Sequence, residues 1–227
     1  MWGGHVAHAV VPFTALRLVP NGVSLEYAAL SKLAAIAYHG VRLSRPEPHE
    51  TTLVVGLGPI GSLGARLHAR SGCRVIGVDP LASRRAALEK LGIQTVESLE
   101  HAEVLLPDGA EIVVDATGVP AVLAQAVRLA KSLPWGDHDT AGARVLIQGS
   151  YAQDIPVPYD TVFQREVVIF TPRDTQPRDE RAVLEFMALE ELNVDDLVAN
   201  VFPPEDAERV YAGLSQQVYP TALFKWS

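Results

Sequence analysis

Thr51-Thr52-Leu53-Val54-Val55-Gly56-Leu57-Gly58-Pro59-Ile60-Gly61-Ser62-Leu63-Gly64 decides how this chain folds. A β-branched run stops at three glycines spaced G-x-G-x-x-G, and Ile60, Leu63, Gly64 and Leu67 then share one helical face. The first glycine permits a tight turn, the second lets backbone approach a pyrophosphate, and the third lets helix pack close to strand. Pro59 suits the first helical turn, where its missing N–H costs nothing. The unpaired amides at that helix start face an anion favourably. Val75-Ile76-Gly77-Val78 follows and ends in Asp79, at the distance where an acid accepts the hydroxyls of an adenosine ribose. Gly56, Gly58, Pro59, Ile60, Gly61 and Asp79, with Arg84 beside them, are therefore the expected dinucleotide-binding set. A carboxylate at position 79 repels a 2′-phosphate, so NAD is expected over NADP, an effect that Arg84 and Arg85 partly offset.

Beyond this unit the period keeps switching between strand and helix. Short β-branched runs recur at Ile112–Val114, Val145–Ile147 and Val167–Phe170, with a weaker one at Thr95-Val96. Between them lie helical stripes, one through Ala87, Leu88 and Leu91 with Gly92 as C-cap, another through Val122, Leu123, Ala126, Val127 and Ala130. Strands alternating with helices imply right-handed crossovers and an α/β fold, a doubly wound six-stranded parallel sheet of the Rossmann type. Ligands in such sheets lie beyond the carboxyl ends of the strands. Thr117 and Gly118 after one strand, and Gly149 and Ser150 after the next, are thus candidates to line the ribose and nicotinamide positions. Each is equally readable as an ordinary turn residue.

Upstream, residues 5–19 alternate and read as a strand, ending in the turn Pro20-Asn21-Gly22. Ser24 is the expected N-cap, with Glu26 in the first turn, of a helix running to about Leu43. Arg45-Pro46-Glu47-Pro48 then breaks the pattern. Downstream, helices are expected over Asp179–Leu189 and from Pro203-Pro204-Glu205-Asp206 to Leu214, with a last strand at Thr221–Lys225.

The 227 residues carry a formal net charge of −8 and no basic cluster, which argues against nucleic acid as a partner. Cys73 is the only cysteine, so no disulfide forms within the chain and a reducing compartment fits. Neither a secretory leader nor an apolar run of membrane-spanning length is visible, so the expected location is the cytoplasm, with no membrane partner.

Gly3-Gly4-His5-Val6-Ala7 through Val11-Pro12, Pro20-Asn21-Gly22-Val23-Ser24 and the Ala-rich helix ending Tyr38-His39-Gly40-Val41 resemble the medium-chain dehydrogenase/reductase superfamily, with zinc-type alcohol and polyol dehydrogenases the nearest group. The glycine stretch and Val75–Pro80 continue the resemblance, which is specific through residue 118 and looser beyond Ser150. It implies a GroES-like catalytic domain that this chain enters only at its last stretch. Residues 1–45 are then a remnant of that domain, 46–172 the Rossmann domain, and 173–227 C-terminal helices and a strand returning to the N-terminal segment. It also implies a homodimer paired through the last Rossmann strand near Val167–Phe170.

The departures from the family are chemical. The zinc-ligand position, a Glu in family members, is Lys32 here, and an ammonium cannot coordinate zinc while protonated. One cysteine cannot build the family's four-Cys site. No zinc or other metal is expected. Lys32, Tyr38 and His39 lie on a helix that by resemblance borders the active-site cleft and are candidate catalytic groups; the plainer reading, slightly favoured, makes Lys32 an exposed helix residue and His39 a packed one. His5 and His8 face opposite sides of a strand, so they do not easily share one ion, and read as surface or packing residues. Asp137-His138-Asp139 reads as a solvated turn, and Cys73 as inert.

Three functions remain open on sequence. One is a zinc-independent NAD(H)-dependent oxidoreductase moving a hydride between nicotinamide and a small alcohol or carbonyl. Another is an NAD(H)-holding enzyme of a net non-redox elimination, cyclisation or decarboxylation. The last is a non-catalytic or partner-dependent nucleotide-binding module.

Overall fold

A computed structural model describes residues 6–133 and 142–226. Its centre is a six-stranded, wholly parallel sheet in the order β3-β2-β1-β4-β5-β6. The strands are β1 (Thr51–Val55), β2 (Arg74–Val78), β3 (Gln94–Val96), β4 (Ile112–Asp115), β5 (Arg144–Ile147) and β6 (Val168–Phe170). Every β-branched run singled out in the sequence is one of these strands. The helices α3 (Pro59–Arg70), α4 (Ala82–Glu89), α5 (Leu99–Leu105), α6 (Pro120–Ala126) and α7 (Tyr159–Gln164) connect them. Such strands are buried on both faces, which is why they read as continuous apolar runs. Leu53, Val54, Ile76, Ile112, Val113 and Val145 are all fully buried.

Two helices precede the sheet, α1 (Leu25–Ala29) and α2 (Ser31–Ser44), and α8 (Pro177–Ala188), α9 (Asp195–Val198) and α10 (Ala207–Ser215) follow it. A small parallel pair, β7 (Val201–Phe202) with β8 (Leu223–Phe224), closes the chain. Leu30, Ala34, Val41, Leu63, Val183 and Leu197 belong to one apolar cluster, so the first and last segments share a core with the outer face of α3. Buried charge pins this junction. Arg66 of α3 forks onto Asp196 at 2.7 and 2.8 Å, and Tyr27 donates to Asp195 at 2.7 Å. Asp179 is fully buried and accepts from His39 Nδ1, Arg42 Nε and the backbone of Gln176, welding α8 to α2.

Four expectations about individual elements need correction. Residues 6–19 form no strand: Phe13–Ala15 is a single 3-10 turn, and Val10, Phe13 and Leu18 are almost fully exposed. Alternation marks a strand only where a neighbouring strand takes its hydrogen bonds, and among the described residues no strand pairs with this segment. The helix after Ser24 is interrupted at Leu30 and ends at Ser44, where Arg45 turns left-handed at φ 48° before Pro46. The stripe from Val122 to Ala130 tightens into a 3-10 turn over Val127–Leu129. The expected last strand shrinks from Thr221–Lys225 to Leu223–Phe224. His8 is exposed, and since there is no strand the two-face argument for it lapses. His5 and Asp137-His138-Asp139 lie outside the described residues.

Candidate functional site

The three glycines of the β1–α3 turn each have a different reason to lack a side chain. Gly56 has φ 86°, a conformation glycine adopts without strain. A Cβ on Gly61 would lie 1.8 Å from the Gly56 carbonyl oxygen, so only glycine lets α3 leave this close to the strand. A Cβ on Gly58 would meet nothing within 4 Å. That side of the turn opens into space where a ligand can approach backbone. Gly58 is the N-cap of α3 with Pro59 at N1, and the first-turn amides behind it have no partners inside the helix. The cradle fits a pyrophosphate in shape and in charge.

Beside the turn lies a cleft of about 690 Å³, lined among others by Gly58, Asp79, Arg84, Glu97, Glu100 and Thr117. Asp79 sits at the carboxyl end of β2 and is 1% exposed. Its carboxylate accepts from the Leu57 N–H at 2.8 Å, the Leu81 N–H at 2.9 Å and Arg84 Nη1 at 3.1 Å. A carboxylate has about four acceptor positions. With Arg84 in place, roughly one remains for a ligand hydroxyl, so both ribose hydroxyls cannot be held by Asp79 alone unless Arg84 moves aside.

The ends of β4 and β5 are interlocked. A Cβ on Gly118, which has φ 70°, would lie 2.6 Å from the Ser150 carbonyl oxygen, and one on Gly149 would lie 2.5 Å from the Gly118 nitrogen. Thr117 donates to the buried Asp115 carboxylate at 2.7 Å, and Tyr151 donates to the other carboxylate oxygen. Burial, together with that hydrogen-bonded carboxylate, pushes the Tyr151 phenol far above its usual range, so Tyr151 holds the loop and is a poor proton donor. Sequence reading missed this residue, although it directly follows Ser150.

The α2 candidates do not converge on the cleft. Lys32 is half exposed and pairs with Asp174 at 2.5 Å, beyond the end of β6. Tyr38 packs edge-on against Phe186 at 5.2 Å. His39 is buried with Nδ1 2.8 Å from Asp179 Oδ2. With a carboxylate as acceptor, Nδ1 carries the proton, and Arg42 Nη2 at 2.9 Å is a neighbour rather than its donor. Tyr38 and His39 are thus packing residues of the α2–α8 interface, and Lys32 alone of these candidates faces solvent at the carboxyl edge of the sheet. Burial raises the pKa of the Cys73 thiol, in keeping with an unreactive side chain. Among the described residues no group of three or more His, Cys, Asp or Glu is arranged to hold a metal ion, and no helix is long and apolar enough to cross a membrane.

No family model matches the chain. Among curated proteins it is similar to a 2-dehydro-3-deoxy-L-galactonate 5-dehydrogenase of Pseudoalteromonas atlantica, 24% identical over 88% of this chain and 58% of that one. An uncharacterized zinc-type alcohol dehydrogenase-like protein of Escherichia coli is 33% identical over 59% of this chain and 40% of its own length. The D-xylulose reductase A of Aspergillus oryzae is 25% identical over 85% and 55% of the two chains. The chain thus spans 40% to 58% of the length of these curated relatives. Among solved structures, a short-chain alcohol dehydrogenase of E. coli complexed with NADH superposes with a TM-score of 0.83 at 19% identity, over 96% of this chain and 64% of that one.

Proposed function

We propose, from the premise that this chain's homologues are zinc-type alcohol and polyol dehydrogenases of the medium-chain superfamily, that it binds NAD(H) and is an oxidoreductase for a small alcohol or carbonyl substrate. The observation that carries this reading is the glycine turn: Gly61 is excluded from bearing a side chain by the fold, while Gly58 is bare toward open space. A residue spared for a ligand and a residue spared for packing, three positions apart, are what a pyrophosphate cradle requires.

The bound dinucleotide would supply the hydride acceptor or donor. The chain's own part is binding and orientation. The α3 amides hold the pyrophosphate, Asp79 orients the adenosine ribose, and the interlocked loops at Thr117–Gly118 and Gly149–Ser150 form the floor under the nicotinamide half. Asp79, Glu97 and Glu100 oppose the single arginine in the lining, Arg84, which Asp79 already holds. An acidic cleft disfavours a 2′-phosphate, which supports NAD over NADP. Lys32, outside the lining of this cleft and paired with Asp174, is the α2 cation proposed to stabilise charge developing on a carbonyl oxygen once it exchanges that partner for the substrate.

We propose that the chemistry is zinc-independent within these residues, because Lys32 replaces the family's Glu and one cysteine cannot form a four-Cys site. The division into residues 1–45, 46–172 and 173–227 is supported by the break at Arg45–Pro48. A homodimer through β6 is supported by that strand's position at the sheet edge, with Val168 half exposed. A second reading, in which another polypeptide region completes the substrate wall, is favoured by the exposed Val10, Phe13 and Leu18.

Absorbance at the NADH band, followed with a panel of small alcohols and carbonyls, tests the proposal. A substrate-dependent change supports it. Turnover with no net absorbance change indicates a non-redox reaction, and the absence of any turnover favours the partner-dependent reading.

A further inference from the structure

Helix α10 ends in a left-handed residue, the standard way to satisfy its last carbonyls. Val218 N–H reaches back to the Gly213 carbonyl at 2.9 Å and Gln217 N–H to that of Leu214 at 3.1 Å. Gln217 is the left-handed residue, with φ 58°. Glycine is the residue of choice at this position, because a Cβ is crowded there. Glu190 takes the same left-handed position after α8, so the conformation alone does not say that the Gln217 side chain is used.

The surroundings give it a use. Gln217 lines the cleft that holds Gly58, Asp79 and Arg84. It also lines the neighbouring cleft of about 630 Å³ between α4 and the C-terminal segment, together with Leu57, Leu81 and Arg84. It therefore stands at the Asp79 end of the nucleotide cleft, beside the glycine turn. Its turn is held in place, since Tyr219 packs against Gly213 so tightly that a Cβ there would lie 2.4 Å from the phenol oxygen. Tyr219 also donates to the Val210 carbonyl at 3.2 Å. Asp79 itself has roughly one acceptor position left, as described above. The adenosine ribose presents two hydroxyls.

We infer that Gln217, contributed by the C-terminal segment, is a recognition residue for the adenosine half of the dinucleotide. Its amide, donor and acceptor at once, takes the ribose hydroxyl that Asp79 cannot. The inference rests on the nucleotide-binding reading and deepens it. Docking of the C-terminal segment thereby becomes part of the nucleotide site.

The test uses the full chain, with ADP-ribose as probe, and reads affinity by calorimetry and stability by thermal unfolding. Gln217→Gly removes the side chain and relieves the left-handed strain; Gln217→Ala removes the side chain alone. Both variants are expected to bind ADP-ribose about threefold to tenfold more weakly, the range one neutral hydrogen bond supplies. Gln217→Gly is expected to unfold no earlier than the parent. A side chain that merely fills a turn would not separate affinity from stability in this way. Parent and variants binding ADP-ribose equally well would overturn the role of Gln217 and leave the dinucleotide reading standing. Failure of the parent chain itself to bind ADP-ribose or NADH would overturn the reading beneath it.

Discussion

The backbone N–H of Leu57, inside the glycine turn, donates to the carboxylate of Asp79 at 2.8 Å. The acid expected to read a ribose is thus also the clamp that fixes the glycine turn to the end of β2. Arg84 shares the same carboxylate oxygen at 3.1 Å.

Replacing that acid should therefore do two things at once. Asp79→Ser leaves two buried N–H groups poorly satisfied, which costs about 1–3 kcal/mol of stability. It also frees Arg84 to meet a 2′-phosphate, so the NADH-over-NADPH preference should narrow about tenfold or more. Paired titrations with the two reduced coenzymes check this; an unchanged ratio refutes the role given to Asp79 and Arg84.

Two glycine substitutions separate fold from site. Gly61→Ala drives a Cβ into the Gly56 carbonyl oxygen at 1.8 Å, a backbone clash that should cost about 2–3 kcal/mol or more. Gly58→Ala enters open space with φ −62°, so its thermal unfolding should match the parent while nucleotide binding is lost. If Gly58→Ala binds NADH normally, the pyrophosphate does not approach this turn.

His68 gives the fold a pH dependence. It is buried in α3, its Nδ1 2.9 Å from the Gly64 carbonyl, and burial lowers its pKa from 6.5 to about 4. The unfolded chain takes up this proton near pH 6.5, and the folded chain resists it until about pH 4. The stability held by neutral His68 is complete above pH 6.5 and is lost as the pH falls toward 4, by about 3 kcal/mol in all. Urea unfolding at pH 7.5 and pH 4.5 should show a smaller stability difference in His68→Gln than in the parent; an identical difference rejects the assignment.

Lys32 gives a kinetic test. Lys32→Met should lower kcat/KM about tenfold to a hundredfold with the NADH affinity unchanged. Equal kinetics would make Lys32 a surface partner of Asp174 and nothing more.

The sheet was legible in the sequence because its central strands β1, β2, β4 and β5 are buried on both faces and announce themselves as β-branched runs. The edge strands β3 and β6 are partly exposed. The glycine turn was legible for a local reason as well, since its spacing follows a strand and opens a helix in one contiguous stretch, and the demand on Gly61 comes from Gly56 in the same turn. What was not legible depends on distant partners. Alternation in residues 6–19 looked like a strand because a sequence does not say whether a neighbouring strand exists. His39 looked available, but Asp179 of α8, distant in sequence and packed against α2, accepts its Nδ1 hydrogen bond. Gln217 carried no signal at all, because its place on the clefts that Asp79 and Leu57 line comes only with the return of the C-terminal segment. The similarity to zinc-type alcohol and polyol dehydrogenases, in contrast, rested on contiguous motifs and was visible in them.

The central claim is that the amides around Gly58 and the carboxylate of Asp79 together hold a nicotinamide dinucleotide. Calorimetric titration of the purified chain with NADH tests it most directly. One saturable site per chain, abolished by Gly58→Ala in a protein that still folds, is the result expected; no heat of binding at millimolar NADH would contradict the account.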